Sequence, residues 1–196
     1  MKAAIVTAAG TKPIFGEFER PQRRDGLEVI TVTAAALTNL TKGHASGLHY
    51  SADNHYPFVP GVDGVGMLAD GRRVYFAMPE APFGAMAEQS LVDPGRAIAL
   101  PDNLDDVAAA ALANPGMSCF AALVERARFQ AGETVLINGA TGSAGLIAVQ
   151  VAKQLGAKKV IVTGRNAQEL EALRSLGADV VVPFDLRPEN PQGVRN

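Results

Sequence analysis

Short strand-like stretches, with few helical patterns, dominate the first 112 residues of the chain. The longest, Glu28–Ala36, alternates with a period of two through Val29, Thr31 and Thr33. Prolines separate the stretches, and this punctuation predicts a β-rich, barrel-like module. The other predicted strands are Ala3–Thr7, Phe15–Glu19, Gly61–Leu68, Arg73–Met78, Gly84–Val92 and Ala97–Leu100.

The pattern changes at Asp105, where an alanine-rich helical sequence begins. One helix is predicted from Asp105 to Leu112, with its acidic residues at the favourable N-terminal end. A second is predicted from about Pro115 to Arg128, since proline is well tolerated in a first helical turn. The change predicts two domains, residues 1–113 and 114–196.

After Arg128, apolar strands alternate with amphipathic helices, which predicts a βαβαβ unit. The first helix carries an apolar residue at every fourth position and ends at Gly156, a common C-cap residue. The predicted segments are, in order, a strand at Val135–Ile137, a helix from near Ser143 to Gly156, a strand at Val160–Val162, a helix through Leu170 and Leu173 to Gly177, and a strand at Val180–Val182.

The turn between the first strand and helix of this unit has the spacing Ala140-x-Gly142-x-x-Gly145, a dinucleotide fingerprint with alanine in the first glycine place. The second glycine of such a fingerprint lets the backbone approach a pyrophosphate, and the third lets the helix pack closely against the sheet. The helix N-terminus adds unpaired amides and a partial positive charge. A purely structural turn is the alternative. The predicted cofactor-binding residues here are Ala140, Thr141, Gly142, Ser143, Ala144 and Gly145.

The end of the second strand, Thr163-Gly164-Arg165-Asn166, indicates which nucleotide binds. NAD sites place an acidic residue there to hold the ribose 2′-hydroxyl, whereas this chain has no carboxylate before Glu169. A guanidinium can hold a 2′-phosphate through two parallel hydrogen bonds. We therefore predict NADP(H), with Gly164, Arg165 and Asn166 at the adenosine end. The alternative is that Arg165 is a solvated loop residue.

The composition argues against several classes of partner. The 196 residues are 47% hydrophobic and 19% charged, with a net charge of −2, which gives no reason to expect nucleic acid or a membrane as partner. No window is expected to reach membrane-spanning length. The single cysteine, Cys119, rules out an intrachain disulfide and fits a reducing compartment, so a cytoplasmic protein is expected.

Three stretches follow one another with the β-rich module and the helices between them: PFVPGVDGVG at Pro57–Gly66, VERARFQAGETVLINGATGSAGLIAVQVAKQLGA, and LRSLGADVVV. Together they resemble the medium-chain dehydrogenase/reductase superfamily, and within it the zinc-independent quinone oxidoreductase branch. The resemblance implies a GroES-like β-barrel module over residues 1–113 that carries the substrate site. It also implies a Rossmann domain that binds NAD(P), of which only a part lies in residues 114–196.

Two positions indicate the branch without zinc. When the chain is matched to the alcohol-dehydrogenase pattern, Thr38 stands where a cysteine ligand would be and Val62 where a histidine ligand would be. Neither side chain ligates zinc usefully. His44, His49 and His55 are close in sequence but lack a thiol and the spacing of a known site, so no metal is predicted.

The resemblance places the substrate at the loop Thr38–Tyr56, where positioned donors would stabilise negative charge on the substrate's oxygen. The predicted catalytic residues are Tyr50, Asn39 and Thr38, with Thr41 as a further donor. Tyr50 is the candidate proton donor and Tyr56 its competitor. A packed aromatic residue with a satisfied hydroxyl is the alternative.

Ser118 lies where relatives face the nicotinamide end of the cofactor, and it is predicted to bind there. Helix capping or packing is the plainer explanation of this serine, and the sequence leans slightly towards it.

The resemblance covers only the first half of the expected nucleotide-binding domain, before a polar, proline-rich end. The first strand, Thr134–Asn138, would lie in mid-sheet, so its unpaired edge predicts a homodimer or a fragment of a longer chain. Cofactor binding is then expected to be weakened. The predicted function is an NADPH-dependent, zinc-free reductase of a small-molecule quinone, enone or other activated carbonyl. The alternative is a catalytically silent nucleotide-binding or regulatory relative.

Overall fold

The computed structural model describes residues 1–47, 49 and 55–184. The chain divides into two compact units, Met1–Ala113 and Asn114–Asn196. Each unit has hydrophobic clusters of its own, so the β-rich sequence and the βαβαβ sequence build separate cores.

The described part of the first unit has a strand in each stretch where the alternating pattern predicts one. These strands are β1 (Lys2–Ile5), β2 (Ile14–Glu17), β3 (Glu28–Ala35), β4 (Asp63–Leu68), β5 (Arg73–Ala77), β6 (Gln89–Val92) and β7 (Ala97–Ala99). β1 pairs with β2, and the others form an antiparallel sheet in the order β6-β3-β4-β5-β7. No ladder among the described residues joins β6 to β7, so a closed barrel stays a prediction.

A short helix, α1 (Asn39–Ser46), begins the segment that we predicted as a loop. The Thr38 hydroxyl caps it by accepting a hydrogen bond from the Thr41 amide at 3.2 Å. Gly47 ends it in the left-handed region, at a φ of 71°. The loop prediction is wrong here because these eight residues lack a clear apolar period, and the caps supply the helix signal instead.

The alanine-rich segment forms one helix rather than the two predicted. This helix, α2, runs over Asp106–Phe120 with Pro115 inside it, and it continues as a π-helical stretch over Ala121–Arg126. An internal proline gives up one backbone hydrogen bond, but the alanines before and after it favour the helical state.

The continuity of this helix also changes the assessment of membrane-spanning length. Asp106–Arg126 has 21 residues and a mean hydropathy of 1.6, so by length and composition it could cross a membrane. The expectation that no window reaches that length is therefore wrong, since the helix joins two stretches that Pro115 was expected to separate. Ala109 and Ala110 of α2 pack against Val65 of β4, but only 17% of the membrane-length window is buried, unlike the core helix of a soluble protein, which is mostly buried.

The second unit has the predicted βαβαβ order. Its elements are β8 (Thr134–Asn138), α3 (Ser143–Gln154), β9 (Lys159–Gly164), α4 (Ala167–Ala172) and β10 (Val180–Pro183). The three strands are parallel in the order β10-β9-β8. Fully buried side chains from α3, β9 and α4 form the core, among them Val149, Val160, Val162 and Leu170.

β8 lies at the edge of this three-stranded sheet. Among the described residues, its only partner strand is β9. Leu136, in the middle of β8, is 63% exposed. An apolar strand edge in this state is a template for pairing with further backbone.

A polar cluster fastens the start of α2 to the sheet of the first unit. Asp106 accepts hydrogen bonds from the Thr33 hydroxyl at 2.5 Å and from Arg73 Nε at 2.6 Å. Arg73 also donates to the carbonyls of Pro101 and Leu104. The bonds to Asp106, led by the one from Thr33, hold its pKa below the ordinary value.

We expect Asp106→Asn to lower the free energy of unfolding by about 1–2 kcal/mol at pH 7, because a charge-assisted hydrogen bond is lost. The folded pKa is depressed, so the wild-type advantage is complete above the unfolded pKa of about 3.9. It then disappears as the pH falls through the folded value. Urea unfolding at pH 7 and below pH 4 measures both effects.

The matched control is Asp102→Asn, at an exposed aspartate of the same connecting segment with no side-chain bond to the described residues. An equal loss in both variants, or a loss that does not shrink at low pH, would contradict the assignment.

Candidate functional site

The turn after β8 is held by one carbonyl of the neighbouring strand. The amides of Gly139 and Ala140 both donate to the Thr163 carbonyl oxygen, at 3.0 and 3.1 Å. Gly139 has a φ of 71°, and Ala140 is fully buried. The turn therefore lies at the carboxyl end of β9, on the edge where open parallel sheets bind ligands.

The N-terminus of α3 presents bare backbone. Gly142 caps the helix in an extended conformation (φ −76°, ψ 161°) without a side-chain hydrogen bond. Ser143, Ala144 and Gly145 supply the first three amides, which have no acceptor within a helix. A Cβ placed on Gly142 would meet only the Gly139 carbonyl oxygen, at 3.5 Å. The amides therefore stand open to an anionic group.

Position 145 needs a glycine because of close packing, not because a ligand must reach the backbone there. A Cβ there would lie 2.5 Å from Ala140 Cα and 2.7 Å from the Gly139 carbonyl oxygen. The first turn of α3 thus lies directly on the turn that precedes it. This is the close approach that the third glycine of the fingerprint was predicted to allow.

The three residues predicted at the adenosine end have different surroundings. Gly164 is buried, and its Cβ would lie 3.3 Å from Leu170 Cδ2. Asn166 caps α4, since its Oδ1 accepts from two amides of the first turn at 3.1 and 3.3 Å. Arg165 is exposed and makes no side-chain hydrogen bond or ion pair with the residues that the structure describes. Its guanidinium is thus open to a ligand.

A polar pair that sequence reasoning missed joins the ends of β8 and β9. The Thr163 hydroxyl donates to Asn138 Oδ1 at 2.7 Å, and the two residues are paired in the parallel ladder. A polar residue at the end of each apolar strand was the available signal. The pair adds two polar side chains to the edge that carries the glycine turn.

Ser118 has a partner within its own helix. Its hydroxyl donates to the Asn114 carbonyl oxygen, one turn earlier, at 3.0 Å. This bond is the helix-backbone alternative that we considered for this serine. Contact with a nicotinamide stays a prediction.

The structure describes two of the three predicted catalytic residues. The Thr38 hydroxyl caps α1 and lies 3.2 Å from the Thr41 hydroxyl. Thr41 is buried and donates to the Ala36 carbonyl oxygen at 3.2 Å. Asn39 is the exposed first residue of α1, and Tyr50 lies outside the described residues. Both threonine hydroxyls are therefore engaged at the start of the helix.

The first unit contains an apolar cavity of about 230 Å³ that sequence reasoning did not find. Its wall comes from residues 55–62, 78, 79 and 81–84 and from His44. Among the described residues that line it, the polar side chains are His44, His55 and Tyr56, and none is an aspartate, glutamate, lysine or arginine. The clustered prolines and aromatic residues of these two segments were the available signal.

His44 contributes a neutral ring to this wall. It stacks on His49, with ring centroids 4.8 Å apart and an angle of 27° between the planes. Burial, and secondarily the neighbouring His49, lower the pKa of His44 below its ordinary value of 6.5. At neutral pH this histidine therefore brings no charge to the cavity.

A buried carboxyl lies next to the cavity in sequence, at the start of β4. Asp63 is 1% exposed and accepts a hydrogen bond from the Tyr75 hydroxyl at 2.9 Å through Oδ2. Its Oδ1 has no partner among the described residues. Burial raises the pKa of Asp63, and burial together with the Asp63 charge raises the pKa of Tyr75. Burial therefore favours the protonated form of each group, while the hydrogen bond from Tyr75 partly offsets this effect at Asp63.

Comparison with known proteins finds oxidoreductases. The profile of a family described as zinc-binding dehydrogenase matches residues 144–190. An NADPH-dependent alkenal/one oxidoreductase of Arabidopsis thaliana is 31% identical over 181 residues, which cover 84% of this chain and 46% of that protein. A probable NADPH-dependent quinone reductase of Emericella nidulans is 31% identical over 208 residues, covering 90% and 58%.

The fold has close counterparts among solved structures. The quinone oxidoreductase of Thermus thermophilus, solved also in complex with NADPH, superposes with a TM-score of 0.82 at 29% identity. The match covers 92% of this chain and 59% of that one. The chain spans about half the length of the relatives that it matches.

The two fingerprint glycines should respond differently to the same substitution. We expect Gly145→Ser to lower the free energy of unfolding by about 1–3 kcal/mol, because its Cβ would overlap the backbone of Ala140. Gly142→Ser should stay within about 0.5 kcal/mol of wild type, since a serine fits that space and is a good N-cap. Chemical unfolding of both variants provides the measurement, and equal losses would contradict the packing assigned to Gly145.

Proposed function

Because the chain belongs to the medium-chain dehydrogenase/reductase superfamily, in its quinone oxidoreductase-like branch, we propose that it binds NADP(H) and reduces a small-molecule quinone, enone or other activated carbonyl. The observation that carries the proposal is the open row of amides at the start of α3, on the same sheet edge as the end of β9. The printed activities of the relatives support it.

The residues of the second unit fit a pyridine dinucleotide with a 2′-phosphate. The amides of Ser143, Ala144 and Gly145 would hold the diphosphate, with Gly142 leaving the approach clear. Arg165 would hold the 2′-phosphate through its fork of donors. When bound, NADPH supplies the hydride that this class of reaction needs.

We propose that the substrate binds to the first unit and that this unit is a GroES-like module. Asn39, which is exposed, and Tyr50 are kept as proposed donors to the substrate's oxygen, whereas Thr38, the third predicted catalytic residue, is proposed to position them. Because the Thr38 and Thr41 hydroxyls already serve the start of α1, they would act by fixing the helix that presents Asn39. Ser118 is kept as a proposed contact to the nicotinamide end.

The donor set does not fit a catalytic zinc ion, and we propose that the reaction is zinc-independent. The alkyl side chain of Val62 offers no ligand atom, and the Thr38 hydroxyl is used as a helix cap. Among the described residues, no group of three histidine, cysteine or acidic side chains could hold a metal ion. We further propose a cytoplasmic location, which the single free thiol of Cys119 supports, and a protein that does not attach to a membrane.

The function is tested by following nicotinamide absorbance with NADPH or NADH and a panel of quinones and enones. We expect consumption of NADPH that depends on the acceptor and persists after treatment with a zinc chelator. NADPH binding without turnover on the whole panel would favour the catalytically silent alternative. Absence of binding to either dinucleotide would overturn the proposal.

Arg165→Ala should weaken NADPH binding by about 10–100-fold, the effect of losing charge-assisted hydrogen bonds to a phosphate. NADH lacks the 2′-phosphate, so its affinity should not change. Nicotinamide fluorescence titrations measure both. The control is Arg126→Ala, which removes another exposed arginine from the same unit. Equal weakening of NADPH and NADH would count against a 2′-phosphate site at Arg165.

The exposed edge of β8 supports the proposal of a homodimer. Thr134–Asn138 has no proline or charged residue to protect its edge, and its central side chain, Leu136, is 63% exposed. Pairing with the same strand of a second copy would satisfy the free backbone groups.

Leu136→Lys should convert the dimer to a monomer, because a charged residue on an edge strand opposes pairing. Light scattering after size-exclusion chromatography measures the mass. Ile98→Lys is the matched control, since Ile98 is 65% exposed on β7, an edge strand of the five-stranded sheet. A wild-type monomer, or a dimer that survives Leu136→Lys, would refute this mode of assembly.

A further inference from the structure

We propose that Asp63 and Tyr75 form a pH-sensitive clamp at the base of the cavity. The clamp holds the two cavity wall segments on the sheet while the Asp63 carboxyl is protonated, and it loosens when the carboxyl ionises. It belongs to the fold of the first unit and does not depend on which reaction the chain carries out.

Both wall segments leave the sheet at the same end of one ladder. β4 and β5 are antiparallel, and Asp63 pairs with Ala77 at the end of their ladder. One wall segment ends at Val62, directly before β4, and the other begins at Met78, directly after β5. The Met78 amide donates to the Val62 carbonyl oxygen at 2.7 Å, so the pairing of the two strands continues into the cavity wall.

Tyr75 ties the two strands at this end through its side chain. Its hydroxyl donates to Asp63 Oδ2 at 2.9 Å, and it lies two residues before Ala77 on β5. Next to Asp63 on the same face of β4, Val65 packs against Tyr75 and the alanines at the start of α2. The carboxyl therefore belongs to a packed layer, and Asp63 is only 1% exposed.

These surroundings suit a protonated carboxyl and not a carboxylate. Oδ2 has the Tyr75 hydroxyl, but Oδ1 has no partner among the described residues. A carboxylate held there would exchange its hydration for a single hydrogen bond, a cost that protonation largely removes. Burial accordingly raises the pKa of Asp63, and the Tyr75 bond offsets part of that effect. An ionised Asp63 is relieved only when water reaches it, which requires this end of the ladder to open.

The other charged residues around β4 make no bond to the carboxyl. They lie on β3, on β5, at the start of α2 and in the segment before it, and are Glu28, Arg73, Asp106, Asp102 and Asp105. Glu28 is at the end of β3 away from Asp63. Arg73 and Asp106 bond to each other, and the two aspartates before α2 are exposed. Among the described residues, Tyr75 is thus the titratable group that acts on Asp63.

Ionisation of Asp63 therefore works against the folded unit, in the opposite direction to Asp106. Because the folded pKa of Asp63 is raised, its contribution to stability is complete below the unfolded pKa of about 3.9 and is lost as the pH rises through the folded value. Within that window, opening of this end of the ladder should become about tenfold more favourable for each pH unit, since the opened carboxyl releases its proton.

Amide hydrogen exchange followed by NMR between about pH 4 and pH 8 tests the clamp, with each rate divided by the intrinsic rate at the same pH. In the wild type, protection of the Met78 amide should fall as the pH rises and then level off above the folded pKa of Asp63. Asp63→Asn keeps an acceptor for the Tyr75 hydroxyl but cannot ionise, so its Met78 protection should not change with pH. The matched control is Asp102→Asn, at an exposed aspartate of the same unit, which should keep the wild-type pH dependence.

A second amide and a direct titration complete the test. The Leu68 amide donates to the Arg72 carbonyl oxygen at the other end of β4, and its protection should not follow that of Met78. The carbon-13 shift of the Asp63 carboxyl should titrate above the ordinary value of about 3.9. This titration uses the wild type alone, so it decides the question even if Asp63→Asn fails to fold.

Met78 protection that is independent of pH, or that rises with pH, would overturn the clamp, as would an Asp63 carboxyl that titrates at or below the ordinary value. A pH dependence that survives Asp63→Asn would assign the effect to another group and remove the role of Asp63. Equal losses at Leu68 and Met78 would mean that the whole unit opens, which contradicts a local clamp. None of these outcomes bears on nicotinamide binding or turnover, so the proposed function stands or falls separately.

Discussion

The second unit depends on the contact between two pieces of backbone at the glycine turn. The first turn of α3 lies against Ala140 so closely that Gly145 has no room for a Cβ. The Thr163 carbonyl fixes the other side of the same turn through the amides of Gly139 and Ala140. Main-chain atoms thus hold both sides of the turn. Because position 142 is a glycine, no side chain there blocks a ligand from the amides at the start of α3. An anion site of this kind needs fixed backbone more than particular side chains.

The first unit is organised on a different constraint, the separation of polar groups from an apolar cavity. Several polar side chains of this unit are used locally: Thr38 caps α1, Thr41 bonds to the Ala36 carbonyl, and Asp63 bonds to Tyr75. The cavity is left with aromatic, proline and methionine surface. The described lining of the cavity contains no aspartate, glutamate, lysine or arginine.

Both units carry exposed apolar side chains among their described residues. In the second unit Leu136 of β8 and Met117 and Phe120 of α2 are each about half exposed or more, and in the first unit Ile98 of β7 is similar. Scattered apolar residues are ordinary on protein surfaces. The case of β8 differs because one backbone edge of this strand has no partner strand among the described residues. In addition, parallel sheets are usually covered on both faces.

The sequence by itself determined the elements whose signal is local. Short strand-like stretches separated by prolines located the strands of the first unit, and the βαβαβ order followed from strand, glycine turn and helix periodicity. The small residues of the turn were found because each has a steric reason that spacing reveals.

The tertiary structure alone decided the rest, because it depends on residues that are distant along the chain. The cavity joins segments 55–62 and 78–84, and the Asn138–Thr163 pair appears only when β8 and β9 align. The continuous helix α2, which carries Pro115, also differs from the prediction, since the alanines before and after the proline favour the helix despite one missing hydrogen bond.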